Sequence, residues 1–134
     1  MRLDLRLPRG SRVALDDGRR CWTFDEVHAQ AEAAAQRLEG QGVGPGAAFG
    51  WLGLNSADML MALLACSRLG ARFVPLNWRL AAAELRQIAT HAGLVAWHAD
   101  AGFDALDGMA PVPADSPGTD ADAVDDLLLA YTSG

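Results

Sequence analysis

Two short apolar runs, Val13-Ala14-Leu15 and Cys21-Trp22-Thr23-Phe24, flank Asp16-Asp17-Gly18. A turn-forming Asp-Gly pair between such runs predicts a β-hairpin. Thr23 followed by Glu26 is the spacing at which a hydroxyl and a carboxylate satisfy free amides at a helix start. Val27, Ala31, Ala34, Ala35 and Leu38 then mark one face at helical spacing, and glycine at 40 or 42 predicts the end of that helix.

After a turn at Val43-Gly44-Pro45-Gly46, the run Ala47 to Leu52 predicts a strand, and Asn55-Ser56 supplies the cap of a second helix. Met59 through Leu69 is apolar nearly all round, which predicts burial on more than one side. Gly70 closes it, and Arg72 to Leu76 reads as a short strand whose Pro75, lacking an amide, must lie at an edge or end. A third helix is predicted from about Ala81 to His91 with Leu85, Ile88 and Ala89 as its stripe, then Gly93, then a strand Leu94 to Trp97. Strand, helix, strand, helix, strand implies an α/β fold, a largely parallel sheet with crossover helices behind a short N-terminal hairpin.

From Ala99 to Ala123 the periodicity gives way to Asp, Ala, Gly and Pro. An acidic connecting loop is expected there, partly helical around Ala101 to Leu106 and anchored by Phe103, Leu106 and Met109. Leu127 to Tyr131 then reads as a fully buried strand that runs into Thr132-Ser133-Gly134.

Charge sharpens this picture. The 134 residues carry a formal net charge of −6, which argues against a nucleic-acid-binding surface. All 11 basic residues are Arg and precede Gly93, whereas eight of the 17 acidic residues fall between Asp100 and Asp126. No apolar run approaches the roughly 20 residues that span a bilayer, and the charged start at Met1 to Arg6 is unlike a signal peptide, so a cytoplasmic location is expected. Cys21 and Cys66 stand in unrelated contexts and are read as reduced thiols, Cys66 buried.

Several chemical readings are set aside on spacing. Gly40, Gly42, Gly44 and Gly46 follow a helix and open a strand, the reverse of a dinucleotide-binding loop. His91 and His98 have no evident acidic or thiol partner for a metal, and Asp100, Asp104 and Asp107 lack the spacing of a calcium loop, so a solvated acidic face is expected. Trp51, Trp78 and Trp97 follow different elements and are read as packing residues rather than a base-stacking platform, with Trp78 placed near an acyl or interdomain surface.

Three stretches resemble the adenylate-forming, AMP-binding superfamily of acyl-CoA synthetases, luciferases and peptide-synthetase adenylation domains. Trp22 to Val27 is similar to its early aromatic-Thr-aromatic-x-Glu element. Cys66 to Asn77 resembles its helix-Gly-Ala-strand-Pro motif, and Trp78-Arg79-Leu80 through Glu84-Leu85 looks like the acyl-CoA synthetase branch. Tyr131-Thr132-Ser133-Gly134 matches the opening of the phosphate loop, which in the family continues Thr-Thr-Gly-x-Pro-Lys-Gly.

The resemblance implies that residues 1–134 form part of a large N-terminal domain, without the small C-terminal domain. It implies ATP, Mg2+ and coenzyme A as cofactors and a carboxylic acid, such as a fatty acid, as substrate. The acid would become an acyl-adenylate with release of pyrophosphate, then a thioester. Thr132, Ser133 and Gly134 would begin the cradle of amides and hydroxyls around the ATP phosphates. No catalytic residue and no metal ligand is assigned within the segment, so the segment alone is expected to be inactive, its partner being the remainder of the parent enzyme. The competing expectation is a non-catalytic α/β interaction module or truncated pseudo-enzyme that self-associates or binds a partner. An unrelated doubly wound nucleotide-binding domain is the third.

Overall fold

The computed structural model describes residues 6–113 of the chain. Its elements are β1 (Val13–Asp16), β2 (Cys21–Thr23), α1 (Phe24–Gly40), β3 (Ala48–Leu52), α2 (Ala57–Leu69), β4 (Arg72–Leu76), α3 (Ala82–Ala92) and β5 (Leu94–Ala99). The expected strand Leu127 to Tyr131 and the residues Thr132, Ser133 and Gly134 lie outside the described residues.

Local chemistry sets the boundaries. In the hairpin turn the Asp17 carboxylate accepts from the amides of Arg19 and Arg20 at 2.9 and 2.8 Å, which also holds its carboxyl below the ordinary value. Phe24 belongs to α1 rather than to the strand, because Thr23 is the cap. The Glu26 amide donates to Thr23 Oγ1, and the Thr23 amide donates to Glu26 Oε1, both at 3.1 Å. Thr23→Ala removes one half of that exchange and is expected to cost about 1 kcal/mol. Urea denaturation checks it, and an unchanged midpoint would show that the cap contributes nothing.

Ser56 caps α2 through the Met59 amide at 3.1 Å, while α3 begins at Ala82, its N-cap position Ala81 offering no side-chain cap. Gly70 and Gly93 close α2 and α3 in the left-handed conformation, at φ +67° and +71°.

β3, β4 and β5 form a parallel sheet in the order β4-β3-β5, with β1 and β2 as a separate antiparallel pair. Pro75 sits on β4, which has one neighbour among the described residues, so its missing donor costs no bond to β3 that another residue would have to replace. β3 is the middle strand, and all five of its residues are buried, as a parallel strand covered on both faces requires.

Side chains of β3 alternate between two cores. Phe49 and Trp51 join Val27, Ala31, Met61, Ala65 and Phe73 under α1 and α2. Ala48 and Leu52 join Val74, Leu76, Leu85, Ala89 and Leu94 under α3. α2 and α3 therefore cover opposite faces, which is what crossovers of one hand produce when successive strands are laid on opposite sides of the first. Cys66 is fully buried, and burial pushes its thiol up to about 12, whereas Cys21 is exposed.

The late segment corrects two expectations. β5 continues through His98 and Ala99, which pair with Trp51 and Leu52. The helical stretch expected around Ala101 to Leu106 is not formed. Turns replace it, with Phe103, Asp107 and Met109 amides donating to the carbonyls of Asp100, Asp104 and Leu106 at 3.0 Å. Gly102 and Gly108, at φ +92° and +77°, interrupt any right-handed helix there. The expected anchors hold: Leu106 is buried, and Phe103 and Met109 pack on the α3-side core.

Candidate functional site

Open parallel sheets take ligands at the carboxyl ends of their strands, where successive connections diverge to the two sides. Here that point lies between β3 and β5, because β4 is laid on one side of β3 and β5 on the other. Four residues converge there. His98 stacks on Trp51 with ring centroids 4.0 Å apart and planes 20° apart. His98 Nε2 lies 2.7 Å from Asp100 Oδ1, and Asp100 Oδ2 accepts from the Leu54 amide at 2.9 Å. The Leu54 carbonyl faces the Trp51 indole nitrogen at 3.4 Å.

Gly53 makes this closure feasible. A Cβ at Gly53 would stand 2.4 Å from the Asp100 carboxyl carbon, so only glycine lets the carboxylate reach the Leu54 amide. The chain's own anion thus occupies the crevice ahead of α2, where an anionic ligand of a doubly wound domain would be held. His98 was expected without an acidic partner and Asp100 within a solvated face. The structure corrects both, while Asp104 and Asp107 are exposed. Spacing alone hid the pair, since a histidine two residues before an aspartate is uninformative until β5 is paired.

The hydrogen bond from His98, followed by that from Leu54, holds the Asp100 carboxyl below its ordinary value of 3.8. A depressed carboxylate contributes stability that is present above 3.8 and is lost as pH falls through the lower, folded value. Acid titration of Asp100→Asn is therefore expected to show a shallower loss of stability below that point than the wild type. Parallel curves for the two would show that the carboxylate makes no net contribution.

The motif residues noted in the sequence are mainly structural. Asn77 shapes the β4–α3 connection, its Oδ1 accepting from the Arg79 amide at 3.1 Å and its carbonyl from Leu80 at 3.0 Å. Trp78 follows, 38% exposed, with Phe103 5.5 Å away on one side and the Arg79 guanidinium 4.9 Å from its ring. Trp51 is buried and Trp97 packs on the α3-side core. The expected phosphate-loop residues Thr132, Ser133 and Gly134 are not among the described residues.

Residues 7–126 match the family described as "AMP-binding enzyme". The chain belongs to that family. It is 44% identical over 66 residues to an indoleacetate–CoA ligase of Aromatoleum aromaticum, covering 49% of this chain and 13% of that protein. It is 38% identical over 73 residues to a feruloyl-CoA synthase of an Amycolatopsis species, covering 54% and 15%. Among solved structures it is similar to an o-succinylbenzoate CoA synthetase of Bacillus subtilis in complex with its acyl-adenylate intermediate, at TM-score 0.70 and 27% identity over 76% of this chain and 27% of that one. The α/β architecture is accordingly that of the N-terminal region of adenylate-forming enzymes. In each case the match spans a minor part of the other protein.

Proposed function

We propose that this AMP-binding family member is part of an ATP-dependent acyl- or aryl-CoA ligase, acting on an aromatic or fatty carboxylic acid. The observation that carries the reading is the family match over residues 7–126, joined to the 44% identity with a CoA ligase. In this reading ATP and the carboxylate give an acyl-adenylate and pyrophosphate, and the thiol of coenzyme A then displaces AMP.

The described residues act as scaffold. They contain no group of three His, Cys, Asp or Glu arranged to hold a metal, and the chain has no Lys to set against a phosphate. Asp100 already fills the β3/β5 crevice, which speaks for a nucleotide site elsewhere and against the independent nucleotide-binding domain. Thr132, Ser133 and Gly134 have the donor chemistry to begin a phosphate cradle, small residues admitting backbone amides beside hydroxyls. Mg2+, the acyl pocket and the catalytic groups are assigned to the remainder of the parent enzyme, with residues 1–134 as part of its large N-terminal domain and a cytoplasmic location. No helix among the described residues is long and apolar enough to cross a membrane.

The test is carboxylate-dependent ATP–pyrophosphate exchange by the parent polypeptide, with aryl acids and fatty acids supplied in parallel. Exchange that requires one class establishes the reaction and the substrate together. Absence of exchange with every acid, from a folded protein that binds ATP, would sink the ligase reading. Residues 1–134 alone are expected to give no heat with ATP and Mg2+ in calorimetry.

A further inference from the structure

Residues 7–10 cross the start of α1 without belonging to any strand. The Gly10 amide donates to Asp25 Oδ1 at 3.0 Å, and the Asp25 amide donates back to the Gly10 carbonyl at 3.1 Å. Asp25 is the second residue of α1, so its amide has no partner inside the helix. One turn on, His28 Nε2 lies 2.9 Å from the Pro8 carbonyl and 3.2 Å from that of Leu7. Leu7 packs on the core beneath α1 and α2, whereas Pro8 and Arg9 are exposed.

The neighbours of His28 fix its proton. A carbonyl only accepts, so Nε2 must donate; a guanidinium only donates, so Nδ1, 2.9 Å from Arg68 Nη2, must accept. This pattern selects the neutral ring protonated on Nε2. The other tautomer would turn a lone pair to Pro8 and an N–H to Arg68. Arg68 is itself held by Glu32 Oε2, 2.7 Å from its Nη1. Asp25, His28 and Glu32 recur at helical spacing on one face of α1. The first two fasten residues 7–10, and the third fastens the guanidinium that orients His28.

We propose that residues 7–10 are a strap that opens as a unit about Gly10 while the rest of the fold stays intact. His28 is its latch, and Arg68 is the positioning residue that keeps the ring in the latching tautomer. Gly10 has φ +130°, and a Cβ built there would meet nothing within 4 Å, so the hinge is unobstructed. Segments with little buried apolar surface and exposed backbone bonds open at lower free energy than core helices. Beyond the hinge the chain is fastened separately, by the Phe24 amide on the Arg12 carbonyl and by β1. Opening uncovers the Asp25–His28–Glu32 face of α1 and the seat of Leu7. The device is independent of the reaction proposed above.

Hydrogen exchange of the full 134-residue chain tests it. The Gly10 and Asp25 amides report the strap, whereas the Glu26 amide, held by Thr23 Oγ1, and the Ala31 and Ala35 amides report α1 itself. In the wild type the first two are expected to share one protection factor, about tenfold or more below that of Ala31 and Ala35. Relative to those helix amides, His28→Ala should lower both by about a further tenfold. His28→Gln, whose amide nitrogen can still donate to the strap, should lower them by about threefold or less. Arg68→Met should lower the same two. Nitrogen NMR at about pH 8, where a free imidazole is uncharged, should place the wild-type proton on Nε2. Gly10 and Asp25 amides as protected as Ala31 would mean that the segment leaves only with the helix, and no protection at either would mean that it is not docked. His28→Ala without effect on them would remove the latch. A proton on Nδ1, or Arg68→Met indistinguishable from wild type, would remove the role of Arg68. Each of these results overturns the proposal.

Discussion

Trp51→Ala is expected to destabilise the chain by about 3–5 kcal/mol, the range for truncating a large aromatic side chain in a packed core. Trp51 is 4% exposed and lies on the middle strand, under α1 and α2, so its removal leaves a cavity that neither helix can close without giving up contacts elsewhere. It also loses the His98 stack, and aromatic pairs contribute about 0.5–1.5 kcal/mol beyond the area they bury. Urea denaturation of Trp51→Ala, His98→Ala and the double variant separates the two effects. The double variant should be less destabilised than the sum of the singles by roughly that pair energy. Trp78→Ala provides the contrast. Its side chain is 38% exposed and rests on the turn-rich connection, so its loss is expected to cost about 1 kcal/mol or less. Equal costs at 51 and 78 would contradict the two environments described for them.

The parts of the fold legible in the sequence are those whose causes are local. Thr23 with Glu26, Ser56, Gly70 and Gly93 each act within one helical turn, and each helix starts or stops within a residue or two of where they place it. The alternation of Phe49 and Trp51 with Ala48 and Leu52 was not legible as two cores, because a strand buried on both faces shows only an unbroken apolar run. The Trp51–His98–Asp100–Gly53 closure was hidden for a related reason. It depends on the register that sets Trp51 opposite His98, a pairing between strands separated by two crossovers. Gly53 carried the one available signal, a glycine directly after a buried strand, where a side chain would meet the Asp100 carboxylate.

The acidic segment shows the limit from the other direction. Over the described residues 100–113 turns stand where its composition predicts a loop, and its three apolar anchors are where that stretch touches the core. Composition gives no direction of travel, however. Only the Val112 to Leu94 hydrogen bond shows that the loop returns to the start of β5 instead of wandering over the surface. For the candidate site the family motif supplied the assignment of Thr132, Ser133 and Gly134, whereas the crevice occupied by Asp100 came from the geometry alone.

Gly70→Val is expected to cost about 2 kcal/mol or more, with Gly70→Asn costing well under half of that. The backbone at Gly70 has φ +67° and ψ +21°, a left-handed conformation that costs an L-residue roughly 1–2 kcal/mol and a β-branched one more, while asparagine tolerates it. A Cβ there would meet Pro45 Cα and Cβ at 3.7 Å, ordinary contact, so the first carbon adds no clash. Pro45 is therefore the neighbour nearest the added γ-methyls of valine, beside the turn in which the Gly46 amide donates to Gly70 O at 2.8 Å and the Arg72 amide donates to Ala47 O at 2.7 Å. The strain is thus placed where α2 turns into β4 and where β3 begins. Gly93, at φ +71° with nothing within 4 Å of a built Cβ, isolates the conformational part, and Gly93→Val should be the milder of the two. Equal destabilisation by valine at both positions would mean that backbone conformation alone sets the cost and that the Pro45 contact yields freely. No loss at Gly70 would mean that α2 does not close in the left-handed conformation at all.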